Sequence, residues 1–149
     1  MDHLGKSHWL ELVVSNPILF VTNDFGPRAG GIETFLIGLI ERRPFGSTIV
    51  YTSAQDESDL YDQHWKEKFG VTVIRDRAKI LLPTPRVARN LARVIKAEKI
   101  TIAAFGAAAP LGLLSASLKR AGVEKTIALT HGHEAVSYTH LRAHETGRN

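Results

Sequence analysis

No cysteine occurs in the 149 residues, methionine appears once, and aromatic residues make up only 7% of the chain. Without thiols there are no disulfides and no thiolate metal sites, and nothing calls for an oxidising compartment, so the cytoplasm is the default expectation. Scarce aromatics leave little on which unpaired bases could stack, which weighs against a nucleic-acid partner. Long apolar runs are also rare. Residues 1–17 mix Asp2, Lys6, Glu11 and two histidines among apolar neighbours, so they lack the uninterrupted core of a signal peptide and read as a loose N-terminal extension. Residues 102–118 carry no charge, yet they are alanine-rich and broken by Gly106, Pro110 and Gly112. A buried strand followed by a helix explains them better than a membrane span.

What is present is enough hydrophobic content, 44%, to bury a core in one soluble globular domain but not easily in two. Short apolar runs rich in branched residues alternate with helical patterns, the signature of βα units around a parallel sheet. Strands are expected at 18–22, 48–52, 71–75, 101–105 and 126–130, and helices at 32–43, 58–68, 84–98 and 110–121. In the first helix Ile32, Phe35, Leu36, Leu39 and Ile40 share one face. Thr84 suits an N-cap, Pro85 and Pro110 suit helix starts, and Gly122 suits a helix end. The fold class is therefore α/β, a Rossmann-like parallel sheet with helices on both faces. Ligands of such sheets bind at the carboxyl ends of the strands, where 23–31, 106–109 and 131–134 would gather as loops.

Within the first of these loops, Gly30 and Gly31 stand just before an amphipathic run. Neither has a side chain to keep a ligand from the backbone, and the free N–H groups of a following helix attract an anion. A nucleotide or another phosphorylated molecule is the expected ligand, a tight turn before the helix being the bland alternative. The spacing is neither that of G-x-G-x-x-G nor that of a Walker loop. The net charge of +4 also favours anionic partners. In the helix at 84–98, Val87, Leu91, Val94 and Ile95 share one face, while Arg86, Arg89, Arg93 and Lys96 form a basic stripe without acidic partners on the other. That stripe is either a solvated surface or a contact for an anionic membrane.

Four segments taken together, Val21-Thr-Asn-Asp-Phe-Gly-Pro-Arg-Ala-Gly-Gly-Ile-Glu33, Leu82-Pro-Thr-Pro85, Phe105-Gly-Ala-Ala-Ala-Pro-Leu111 and Thr130-His-Gly-His-Glu134, resemble the N-terminal domain of retaining GT-B glycosyltransferases of the family 4 type. The pattern most resembles the actinobacterial phosphatidylinositol mannoside mannosyltransferases. The resemblance implies transfer of mannose from GDP-mannose, a nucleotide-sugar substrate and not a cofactor, to an anionic, phosphatidylinositol-type lipid at the cytoplasmic face of the plasma membrane. It implies that Gly30 and Gly31 approach the donor diphosphate and that His131, the candidate catalytic residue, lies near the transferred sugar. His133 and Glu134 would orient it or bind acceptor hydroxyls. Asn23 and Asp24 would either form a turn or touch the acceptor, and Arg77, Lys79 and Arg86 are candidates for its anionic headgroup.

The likeness covers 18–136, the expected acceptor-side domain, and stops there. Residues 137–149 read as a tail foreign to the domain, and the donor-binding C-terminal domain is expected to be missing, leaving the chain inactive alone. His140, His144 and Glu145 stand in an order unlike H-E-x-x-H, so no metal site is expected. A transferase using a UDP-sugar, or a non-catalytic module that binds a nucleotide or phosphate, are the alternatives.

Overall fold

The computed structural model describes residues 17–23, 25–27, 31–106 and 109–129. Along them run β1 (Ile18–Thr22), α1 (Gly31–Glu41), β2 (Thr48–Thr52), α2 (Asp59–Phe69), β3 (Thr72–Arg75), α3 (Pro85–Glu98) and β4 (Ile102–Phe105). A 3-10 turn (Leu111–Leu114) then leads into α4 (Ser115–Ala121) and β5 (Lys125–Ala128). The five strands form one parallel sheet in the order β3-β2-β1-β4-β5. This is the Rossmann-like α/β architecture expected from the alternation of strand and helix patterns.

Successive strand side chains point to opposite faces, and because both faces are covered the strands are apolar on both sides. Leu19, Val21, Ile49, Tyr51, Ala103 and Phe105 pack against Val87, Leu91 and Ile95 of α3 and against Leu111, Leu114 and Leu118. On the other face Phe20, Val50 and Ala104 meet Leu36 and Ile40 of α1 and Trp65 of α2. The chain crosses from β3, at one edge, to β4 on the far side of β1. At that switch the helices that follow β1 and β4 lie on opposite faces of the sheet, the arrangement in which such folds bind ligands at the carboxyl ends of the strands.

Strands β1 and β2 keep their expected bounds. β5 starts one residue earlier than expected, because Lys125 pairs with Ile102, and as an edge strand it alternates exposed and half-buried residues rather than following the apolar run. The helix expected at 110–121 is divided: Leu111–Leu114 take 3-10 geometry, and the α-helical part begins at Ser115. A larger correction concerns α1. Of the expected apolar set, the Ile32 side chain lies outside the described residues, Leu36 and Ile40 are buried, and Phe35 and Leu39 are exposed. Each lies one position, about 100° of helix, away from the stripe that meets the sheet.

The expected caps form. The Thr84 hydroxyl accepts a hydrogen bond from the Val87 N–H at 3.3 Å, with Pro85 in the first helical position. Gly122 closes α4. Helix α2 ends on Gly70 at φ 67°, where a Cβ would lie 2.6 Å from the Gly46 nitrogen.

Candidate functional site

The carboxyl edge of the sheet is built from the residues that end each strand. After β1, the Asn23 side-chain amide grips the backbone of Leu81: its Nδ2 donates to the Leu81 carbonyl at 3.1 Å, and its Oδ1 accepts from the Leu81 N–H at 2.7 Å. This pair fastens the end of β1 to the loop after β3, so the Asn23 amide serves the scaffold. Phe25 follows, fully buried, with its ring 5.5 Å from Tyr61 and 5.3 Å from Trp65. The loop then enters α1 at Gly31, whose first-turn N–H groups lie at this edge as helix starts require. Gly106, after β4, approaches Thr22 so closely that a Cβ there would lie 2.3 Å from the threonine hydroxyl oxygen. On β2, Thr52 is fully buried, and its hydroxyl has no hydrogen-bond partner among the described residues.

Beside this edge, between β3 and α3, lies an open cleft of about 710 Å³. Its floor is a hydrogen-bonded cluster around Asp76, whose side chain is 1% exposed. Arg86 donates to both carboxylate oxygens, Nη1 to Oδ1 at 3.0 Å and Nη2 to Oδ2 at 2.8 Å. The Tyr51 hydroxyl donates to Oδ1, the Ala78 N–H to Oδ2 at 2.9 Å, and Asn90 Nδ2 donates to the Tyr51 oxygen at 3.4 Å. The Arg86 guanidinium holds the Asp76 carboxyl well below the usual carboxylate range, assisted by Tyr51 and Ala78 and opposed by burial. Burial and the neighbouring Asp76 carboxylate push the Tyr51 hydroxyl up to about 12. The walls add Arg77 from the β3 loop and Arg89 and Arg93 from α3. These three arginines have no ion-pair partner among the described residues. One carboxylate thus faces four guanidiniums, and the cleft is suited to an anion.

Several expected site residues are placed by this geometry. Arg77 and Arg86 meet at the cleft, and Lys79 is exposed on the same loop. The stripe on α3 does carry an acidic partner, because Asp76 comes to Arg86 from outside the helix. Gly31 opens α1, whereas Asp24, Gly30, His131, His133 and Glu134 lie outside the described residues. Sequence reasoning missed Tyr51, Asp76 and Asn90. The signal available for Asp76 was its position directly after a strand, on the edge where such sheets gather ligand-binding groups. Among the described residues no three His, Cys, Asp or Glu side chains cluster to hold a metal, and no helix is long and apolar enough to cross a membrane.

A doubly covered parallel sheet with a glycine-led helix start and an arginine-lined cleft at its carboxyl edge defines a Rossmann-like domain suited to anionic ligands. No protein-family model matches the chain. It is similar to named enzymes, however. It is 42% identical over 122 residues to a GDP-mannose-dependent monoacylated alpha-(1-6)-phosphatidylinositol monomannoside mannosyltransferase of Corynebacterium glutamicum, a match covering 80% of this chain and 31% of that protein. Identity to the GDP-mannose-dependent alpha-(1-6)-phosphatidylinositol monomannoside mannosyltransferase of Mycolicibacterium smegmatis is 39% over 118 residues, and to that of Mycobacterium tuberculosis 37% over 120 residues; each match covers 78% of this chain and 31% of the relative. The chain thus spans about a third of the length of the curated relatives it matches. The resemblance read from the four sequence segments and these similarities point to the same enzymes.

Proposed function

We propose that residues 18–136 form the acceptor-side domain of a retaining mannosyltransferase that moves mannose from GDP-mannose to a phosphatidylinositol-type lipid, and that the domain holding most of the donor lies outside these 149 residues. The observation that carries this reading is the 42% identity over 122 residues to a phosphatidylinositol monomannoside mannosyltransferase. In this reading Gly30 and Gly31 present backbone N–H groups to the donor diphosphate, stabilising charge on the departing nucleotide. By the family resemblance His131 acts near the transferred sugar, His133 and Glu134 orient it or bind acceptor hydroxyls, and Asp24 contacts the acceptor. Arg77 and Lys79 meet the anionic headgroup, joined by Arg89 and Arg93 across the cleft. Arg86 contributes while tied to Asp76. On the loop that carries Arg77 and Lys79, Ile80 and Leu82 are 65% and 52% exposed, an apolar pair beside two cations in sequence that suits peripheral contact with an anionic bilayer. Residues 137–149 are read as a tail outside the domain.

The test is transfer of radiolabelled mannose to a phosphatidylinositol mannoside acceptor. The 149-residue chain alone is expected to give no turnover, and a chimera joining residues 18–134 to the C-terminal half of the Corynebacterium glutamicum relative is expected to be active. Turnover by the chain alone would contradict the expected division of labour. A folded but inactive chimera would favour the non-catalytic module. A chimera that transfers mannose to other acceptors but to no phosphatidylinositol acceptor would reject the acceptor class.

A further inference from the structure

Five arginines line the cleft between β3 and α3, and they differ in what holds them. Arg75, the last residue of β3, is engaged elsewhere. Its Nε and Nη2 donate to the Asp62 carboxylate on α2 at 2.9 and 2.7 Å, and Nη1 donates to the Ser53 carbonyl at 3.1 Å. Nη2 also donates to the Gly26 and Phe25 carbonyls at 2.8 and 3.4 Å. Arg86 is held by Asp76. Arg77, Arg89 and Arg93 have neither an ion-pair partner nor a side-chain hydrogen bond among the described residues. Three such guanidiniums supply donors without acceptors, a lining that a phosphate matches.

The uncharged part of the lining calls for something a bare phosphate lacks. The Tyr51 hydroxyl has a single proton, which goes to Asp76, so toward Asn90 its oxygen can only accept. Asn90 therefore turns its Nδ2 to Tyr51, at 3.4 Å, and its Oδ1 is left without a partner among the described residues. The two Asp76 oxygens already take two donors each, Oδ1 from Tyr51 and Arg86, Oδ2 from Arg86 and Ala78. Among the described residues of the lining, Asn90 Oδ1 is thus the side-chain oxygen left open to a donor from a ligand. A phosphodiester at neutral pH has no proton to offer it, whereas a hydroxyl does. Ile74 and Val94 add apolar surface against which the C–H face of a ring can lie, and about 710 Å³ is within the size range of small-molecule sites.

We propose that Asn90 determines specificity in this cleft, accepting a hydrogen bond from a hydroxyl of a phosphorylated polyol whose phosphate lies among Arg77, Arg89 and Arg93. The proposal rests on the headgroup reading given above and adds to it the group that tells a hydroxylated headgroup from any other phosphate.

The test is a ¹H–¹⁵N NMR titration of the 149-residue chain at fixed ionic strength with two matched pairs of probes. Glycerophosphoinositol is paired with dimethyl phosphate, both diesters, and myo-inositol 1-phosphate with methyl phosphate, both monoesters. The parent is expected to bind the inositol member of each pair more tightly. Asn90→Leu should raise the dissociation constants of both inositol compounds about tenfold, the loss of one hydrogen bond, and leave the hydroxyl-free probes unchanged. Arg89→Gln should weaken all four probes about tenfold, and unchanged affinity in it overturns the proposal. Exchange protection of the Val50 and Ala104 amides should persist in each variant, which a general loss of structure would not allow. If Asn90→Leu does not fold, Asn90→Ala decides by the same comparison. The proposal stands whichever inositol compound binds more tightly, glycerophosphoinositol pointing to a lipid headgroup and inositol 1-phosphate to a free phosphate. Equal losses for inositol and hydroxyl-free probes in the Asn90 variant, or no loss for either, overturn it. Binding of phosphates by the parent without preference for the polyol overturns this proposal alone. Absence of binding of all four probes by the parent overturns the headgroup reading of the cleft, and this proposal with it.

Discussion

Asp76 is the residue on which the cleft depends most directly. Its carboxylate is buried and receives donors from Arg86, Tyr51 and Ala78, so replacing it leaves three groups without their acceptor. Asp76→Asn should cost about 2–3 kcal/mol of stability, measurable by urea denaturation. The folded-state pKa lies below the ordinary value of 3.8, so the stabilisation is fully present above that value and is lost as pH falls from it through the folded value. Tyr51 acts at the other end of the scale. Its hydroxyl is raised to about 12, so its contribution is present below pH 10 and lost as pH rises toward 12. Denaturation midpoints across the acid range should therefore depend less steeply on pH in Asp76→Asn than in the parent. This cluster was not legible in the sequence. Tyr51 and Asp76 are 25 residues apart, and only the pairing of β2 with β3 brings them together. The basic residues of α3 were legible because helical periodicity alone places them on one side. Their acidic partner was not, because it comes from another element.

At the scale of elements, the alternation of apolar runs and helical patterns gave the order of the five strands and the four helical segments between them, and it gave β1 and β2 to the residue, but not the 3-10 turn ahead of α4. Local chemistry fixed the start of α3 through Thr84 and Pro85. It could not show that Phe35 and Leu39 would remain exposed on α1, because periodicity marks an apolar face without saying how much of it the sheet covers. Close approach between elements was equally hidden. Gly106 and Gly112 look alike in the sequence, but a Cβ at Gly106 would collide with Thr22, and one at Gly112 would meet nothing within 4 Å. Gly106→Ala should cost about 1–3 kcal/mol through the forced displacement of β1 and β4. Gly112→Ala should stay within about 0.5 kcal/mol of the parent. Thermal unfolding of the two variants side by side checks both values.

For the molecule as a whole, charge is the property that reaches beyond the fold. Arg77, Arg89 and Arg93 line one cleft without ion-pair partners among the described residues, and Ile80 and Leu82, on the loop that carries Arg77, are exposed. Replacing all three arginines with glutamine should weaken binding to vesicles containing anionic phospholipid about hundredfold, from about 1 kcal/mol per charge, as read by flotation. Binding unchanged by the triple substitution would return these arginines to the role of a solvated surface. Arg86 is left out of the set because its loss would also strip Asp76 of its partner.

The contacts of Arg75 also bear on the order in which the chain takes shape. Every group it bonds, Phe25, Gly26, Ser53 and Asp62, precedes it in the chain. Among the described residues the buried core on its side of the sheet is almost as early, with Phe20, Phe25, Leu36, Ile40, Val50, Trp65 and Val71 joined later by Ala104 and by Leu129, which packs partly buried against them. A ribosome making this protein from its N-terminus releases all of Arg75's partners before Arg75 itself. One side of the sheet is thus nearly complete in sequence before the arginines of α3 have been synthesised.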